Sequence, residues 1–404
     1  MTRSLEKIQS APNRTGRRLA AAVLGYIVVV IFLLTWNPFS FALPEHLSLS
    51  LHVGPRDAFR NVLLFLPVGF LYRLTWSSRG GSTPLKASGA VLLGLAVSAA
   101  AEVVQLFIPG RTPSAVDLTM NTLGAWVGAV LHDLIANRIA MTPRLVGQLS
   151  LETPLMGLLY LLVPLLWVNR LIRDDASRWW LTALIGLCGA ILLSDITQQW
   201  WGPVKLLSAW RVMLAAGAWF FVGTGQSLLR YPVLGSTCLV GISLITTVLA
   251  MIPRPSTNRR FERTTLRRLV LAFILYLFLQ ALWPPFQTIS SWHMTLGLVD
   301  PLAQEKIQVN VRLLEHLAAF TVLGYITAEW RGRDELRWRQ DLPRLLLIAL
   351  VSALTLEALI GFQAGPGASF LRPMIAISGA LFGGAIYHLQ RDHVRFLLSR
   401  PTIS

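Results

Sequence analysis

Charge is scarce in this chain. Aspartate and glutamate together number 20 in 404 residues, and charged residues of all kinds make up only 14%. Soluble domains average about 25%, so a water-facing globular surface is excluded. Cysteine is rarer still. Cys188 and Cys238 are the two present, and both fall inside apolar runs. That excludes a disulfide framework or a cysteine-rich metal site and leaves packing as their role. Also missing are a phosphate-cradling glycine loop, a dinucleotide fingerprint and a paired-histidine zinc motif. Neither a cofactor nor a metal is expected.

Apolar residues fill the space, at 54% of the chain. Stretches near bilayer-crossing length recur throughout. The expected spans are roughly 19–36, 57–76, 87–108, 116–136, 153–172, 179–196, 207–228, 232–252, 266–284, 310–330, 342–362 and 369–390. The fold class is therefore all-α: a polytopic transmembrane bundle of about twelve helices.

The net charge of +16 suggests nucleic acid until the basic residues are placed on this map. With the N-terminus in the cytoplasm, about 26 of the 36 Lys and Arg fall on inner segments and about nine on outer ones. The inner clusters include Arg14, Arg17 and Arg18; Arg254, Arg259, Arg260, Arg263, Arg267 and Arg268; and Arg331, Arg333, Arg337, Arg339 and Arg344. This is the positive-inside pattern, and it puts both termini in the cytoplasm. The expected partners are anionic lipid headgroups rather than nucleic acid. The basic N-terminal stretch has no small-residue cleavage site after its apolar run, so the first helix is expected to be retained.

Residues recur at a spacing of 255. Phe65 pairs with Phe320, Gly69 with Gly324, Glu102 with Glu357, Gly110 with Gly365, Gly124 with Gly379, and Gly128 with Gly383. Arg17, Arg18, Leu19 and Tyr26 recur 250 residues later as Arg267, Arg268, Leu269 and Tyr276. Trp36 and Phe39 recur at 247 as Trp283 and Phe286. The drift between these spacings places the length changes in loops, where they are tolerated. We expect a cytoplasmic segment 1–16, a four-helix module 17–136, a middle membrane segment 137–260, a divergent second module 261–390 and a cytoplasmic tail 391–404. The middle segment carries a fainter echo. Asp195, Gln198, Gly217 and Trp219 follow Glu102, Gln105, Gly124 and Trp126 by 93 residues. Helix parity argues against a plain third copy.

The polar residues of the first module form a pattern. Asp57, Arg60 and Asn61 share one helix face. Glu102 and Gln105 share another near the end of the third helix, Arg111 lies in the short loop after it, and Asp117 and Asn121 open the fourth. By topology all eight meet on the extracytoplasmic side. An ionisable side chain inside a span costs about 2.5–3.5 kcal/mol on insertion scales, so it needs a partner or water. Arg60 and Arg111 are the expected partners of Glu102. Joining helix ends is the plainer role for this set, and binding a ligand the sharper one. Ser98, one turn before Glu102, has no histidine nearby in sequence, and a serine triad is unsupported.

The second module keeps the glycines and Glu357 but rewrites the rest. Arg60 becomes Glu315, Asn61 becomes His316, Arg111 becomes Pro366, Asp117 becomes Arg372 and Asn121 becomes Ala376. One equipped site in the first module and a modified or retired one in the second is the expectation. Glu315, His316 and Glu357 together are a thin metal signature.

The run of Asp57, Arg60, Asn61, Phe65, Pro67 and Gly69, then Glu102, Gln105, Arg111, Asp117, Asn121, Gly124 and Gly128, resembles the VanZ-like family of membrane proteins over roughly 20–136. Glu315, His316, Phe320 and Gly324 resemble its divergent form over roughly 266–390. The resemblance implies a polytopic protein of the bacterial cytoplasmic membrane. The family's label comes from low-level teicoplanin resistance, an antibiotic-resistance trait, and other members accompany surface polysaccharide assembly. It supplies no activity. The leading expectation is a pocket for a lipid-linked or other cell-envelope component. A transporter built from duplicated bundles is one alternative. A membrane enzyme with Glu102 or Asp117 as acid or base is another; without a nucleophile or metal set, catalysis is the weaker reading.

Overall fold

In the computed structural model, apolar runs become helices because lipid leaves the backbone no other way to satisfy its hydrogen bonds except a closed barrel. The structure describes residues 14–36, 42–43, 50, 54–76, 83–109, 111–136, 143–171, 176–253, 261–282, 291–292, 294, 303–331, 336–363 and 367–398. Phe39, Gly110, Arg254, Arg259, Arg260, Trp283, Phe286, Arg333, Gly365 and Pro366, with residues 1–13 and 399–404, lie outside them.

Among the described residues there are twelve α-helices: α1 (Arg14–Thr35), α2 (Pro55–Trp76), α3 (Thr83–Gln105), α4 (Ala115–Ala136), α5 (Pro143–Leu171), α6 (Trp179–Trp201), α7 (Ala209–Leu228), α8 (Pro232–Met251), α9 (Phe261–Ala281), α10 (Ala303–Trp330), α11 (Trp338–Ile360) and α12 (Leu371–Leu398). No strand occurs among them; two isolated parallel bridges, Ser50 to Ser114 and Met294 to Ala368, tie loops together. Seven helices (α1, α3, α6, α7, α8, α9 and α11) are long and apolar enough to cross a membrane. The protein is an integral membrane protein of the all-α class.

The chain forms two compact units. One comprises residues 1–143 with 392–404, the other residues 144–391. Helices α6 to α11, with most of α5 and of α12, therefore share a unit.

In the first unit α2 and α4 lie against each other. A methyl group on Gly69 would strike the backbone of Ala125, one on Gly124 that of Val62, and one on Gly128 that of Leu66 and Phe70. Small residues let the two backbones approach within contact distance. The flanking α1 and α3 present Val29, Leu92, Leu95 and Val103 outward, as a lipid-facing surface requires. Helix α4 is two-faced: Gly124 and Gly128 lie against α2, while Leu123, Trp126, Leu131 and Leu134 are exposed.

The second unit repeats these contacts on α10 and α12. Gly324 stands against the Ala380 backbone, Gly379 against Leu317, and Gly383 against Thr321 and Tyr325. Each residue is 255 beyond its counterpart. The edge-on Phe70–His132 ring pair has a counterpart of the same kind in Tyr325–Tyr387, again 255 later. Deep in this unit runs α6, apolar all round and largely buried. Gln198 near its end donates to the carbonyls of Leu249 (2.7 Å) and Ile252 (3.0 Å), which close α8. Gly217 of α7 faces Ser243 of α8, so the partner helices differ from those of Gln105 and Gly124 in the first unit.

Candidate functional site: the polar end of the first bundle

The site begins with a carboxylate at an unfavourable helix end. Glu102 lies in the last turn of α3, where the helix dipole disfavours negative charge. The next helix corrects this. The Ser114 backbone N–H, at the entry to α4, donates to Glu102 Oε2 at 2.8 Å. Ser114 then caps α4, its hydroxyl oxygen accepting the N–H of Val116 (3.2 Å) and Asp117 (3.3 Å). Glu102 thus joins the end of α3 to the start of α4 and gains the positive end of that second dipole.

Asp117, in the first turn of α4, accepts a 2.6 Å hydrogen bond from Asn61 Nδ2 on α2. Asp57, Arg60 and Arg111 lie close enough to act on it through space. Glu102 feels both Asp117 and Arg111. Arg111 is held by a turn, its N–H donating to Ile108 O at 3.1 Å, and its side chain is exposed. Asp57 is exposed, while Arg60, Asn61, Glu102 and Asp117 are half-buried. Six of the eight residues expected from sequence therefore meet at one end of the bundle. The partners differ in detail: Glu102 takes a backbone N–H and the field of Arg111, whereas Arg60 acts on Asp117.

The other two serve the scaffold. Gln105 Nε2 donates to Thr35 O, at the end of α1, at 3.2 Å. Asn121 is buried one turn below Asp117, and its Nδ2 donates to Ser98 Oγ at 2.9 Å.

The second unit places its counterparts differently. Ser369 N–H donates to Glu357 Oε2 at 2.8 Å, and Leu371 N–H to Ser369 Oγ at 3.2 Å. Both bonds repeat the first-unit arrangement 255 residues on. There, however, Arg372 grips Glu357 with both arms, Nε to Oε1 at 2.7 Å and Nη2 to Oε2 at 2.9 Å, and also reaches Gly367 O. Glu315 pairs with Arg178 at 2.5 Å, both nearly inaccessible, and accepts from Gln280 Nε2 at 3.4 Å. His316 is buried and stacks on Phe320. Each carboxylate is held by its own arginine, so Glu315, His316 and Glu357 do not gather around one point as a metal site requires.

Sequence reasoning passed over the opposite end of the first bundle. Arg73 of α2 pairs with Asp133 of α4 (Nε to Oδ1, 2.8 Å), and His132 Nδ1 lies 3.2 Å from the same oxygen. A signal was present: Arg73 is sixteen residues after Asp57, and Asp133 sixteen after Asp117. On two parallel helices these charges fall at one depth, about 24 Å from the first polar layer at 1.5 Å per residue. That is close to the hydrocarbon thickness of a bilayer, so each polar layer falls near an interface.

Residues 13–136 match the VanZ/LLP1 family model. The first module is VanZ-like. No curated protein and no solved structure matches the chain. The matched range contains α1 to α4, four helices of the first unit.

Proposed function

We propose that the polar end of the VanZ-like module faces outward from the bacterial cytoplasmic membrane and binds a cell-envelope component, a lipid-linked precursor or surface glycan with an anionic group. Arg111 and Arg60 engage phosphate or carboxylate, which arginine meets with a planar fork of donors. Asp117 and Glu102 accept from sugar hydroxyls, and Asn61 orients Asp117.

One contrast carries the reading. Glu357 has both oxygens taken by Arg372, whereas Glu102 uses one oxygen on Ser114 and the other takes no hydrogen bond among the described residues. Arg111 likewise makes no side-chain hydrogen bond among them and is exposed beside two carboxylates. The second unit is closed on itself and the first is left open, with the opening at interface depth. The set contains no nucleophile or metal group, so binding is favoured over catalysis.

Native mass spectrometry of purified wild type beside Arg111→Ala and Glu102→Gln tests this. A co-purifying anionic or polyprenyl-linked lipid, present in wild type and lost in both variants, is expected. Identical ordinary phospholipids in all three overturn it.

A further inference from the structure

Between α3 and α4 runs a groove of about 480 Å³, open to the lipid side. Its walls are Val91 and Leu95 from α3 and Leu118, Thr122, Leu123 and Trp126 from α4. Leu95, Leu123 and Trp126 are each 39–46% exposed, a costly arrangement in water and an ordinary one against hydrocarbon. Along α4 the lining runs from Ala115 to Trp126, about 16 Å at 1.5 Å per residue. Trp126 is the deepest residue of α4 in this lining.

The upper end is defined by the chain itself. The loop joining α3 to α4 joins the two walls, and Arg111 stands in that loop with its guanidinium exposed. Glu102 reaches this end from α3, bonding the N–H of Ser114 beside Ala115 of the lining, while Asp117 faces α2. The groove therefore leads from the hydrocarbon interior to the cation of the polar site. Adjacent helix axes are about 8–10 Å apart, so a furrow between two of them takes one chain in single file.

We propose that this groove holds the hydrocarbon chain of a single-chain lipid phosphate, whose headgroup meets Arg111. The inference rests on the binding reading above and adds the class of ligand: one long chain and one phosphate head, as in a polyprenyl phosphate. A diacyl phospholipid would leave its second chain outside the furrow, whereas a single-chain ligand places its whole hydrocarbon portion against the groove.

The test uses the full-length protein in nanodiscs and two photoactivatable probes, a polyprenyl phosphate and a diacyl phosphatidylglycerol, each with a diazirine in the chain. Crosslinks are mapped by peptide mass spectrometry in wild type, Thr122→Trp, Arg111→Ala, Arg111→Lys and the control Leu271→Trp on an exposed helix face of the other unit. Polyprenyl phosphate should label peptides of the α3–α4 groove. Thr122→Trp, which fills the groove from a half-buried position, should abolish that labelling, and Leu271→Trp should not. Arg111→Ala should raise the half-saturating probe concentration about tenfold or more, with partial recovery in Arg111→Lys. Labelling lost in Arg111→Ala but unchanged in Thr122→Trp overturns the groove and leaves the polar site standing. Labelling lost in Thr122→Trp but indifferent to Arg111 overturns both the headgroup assignment and the binding reading beneath it. Equal groove labelling by phosphatidylglycerol overturns the ligand class and makes the groove ordinary lipid-contact surface.

Discussion

Glu102 and Glu357 begin alike and end differently. Both sit in the last turn of a helix and both accept a backbone N–H twelve residues on, from Ser114 and Ser369. The residue three further on separates them: Asp117 repels Glu102, while Arg372 neutralises Glu357. Removing one partner of a buried ion pair leaves an uncompensated charge and costs about 3–5 kcal/mol. Glu357→Gln should therefore lower the thermal midpoint of the purified protein strongly. Glu102→Gln keeps an acceptor for Ser114 and should cost no more than about 1.5 kcal/mol. Paired melting curves in one detergent compare them, and equal destabilisation would contradict the closed-versus-open distinction.

Helix pairs α2–α4 and α10–α12 explain why so many glycines survive in both halves. Gly69 and Gly324 stand where a methyl group would enter a neighbouring backbone carbonyl, and a backbone cannot rotate aside as a side chain can. Overpacking of this kind costs about 1–3 kcal/mol. Gly69→Ala should destabilise by that amount, whereas Gly25→Ala, with nothing within 4 Å of the added methyl, should be neutral or slightly stabilising. Chemical denaturation of the two variants in mixed micelles gives the comparison. The same close packing explains why α2 and α4 tolerate Arg60, Arg73, Asp117 and Asp133. At one end Arg73 meets Asp133, and at the other Asn61 meets Asp117.

For the molecule as a whole, the distribution of arginine sets a direction that the bundle geometry leaves open. If inner segments carry the basic clusters, Arg111 faces outward and Arg337 faces the cytoplasm. In a background lacking Cys188 and Cys238, Arg111→Cys should react with a membrane-impermeant maleimide on intact cells. Arg337→Cys should react only after permeabilisation. Reversed labelling would invert the topology and place the polar site in the cytoplasm.

Helix existence was legible along the chain because a bilayer admits few backbone solutions, so apolar length alone signals them. Their boundaries fell within a few residues in most cases; α5 and α12 extend furthest beyond the expected spans, α5 starting at Pro143 and α12 ending at Leu398. The meeting of Asp57, Arg60, Asn61, Glu102, Arg111 and Asp117 was also legible, from helix periodicity and from the alternation of ends across a membrane. Gln105 and Asn121 share those helix faces yet bind Thr35 and Ser98, because a pattern of faces does not say how deep a side chain lies or which carbonyl is nearest. The Arg178–Glu315 pair joins residues 137 apart in sequence with no periodic relation, and only packing brings them together. Local order and polarity thus decided which helices form and which of their faces are polar. Partner choice came from the third dimension, since a buried charge takes whichever counter-charge the packed helices bring within reach.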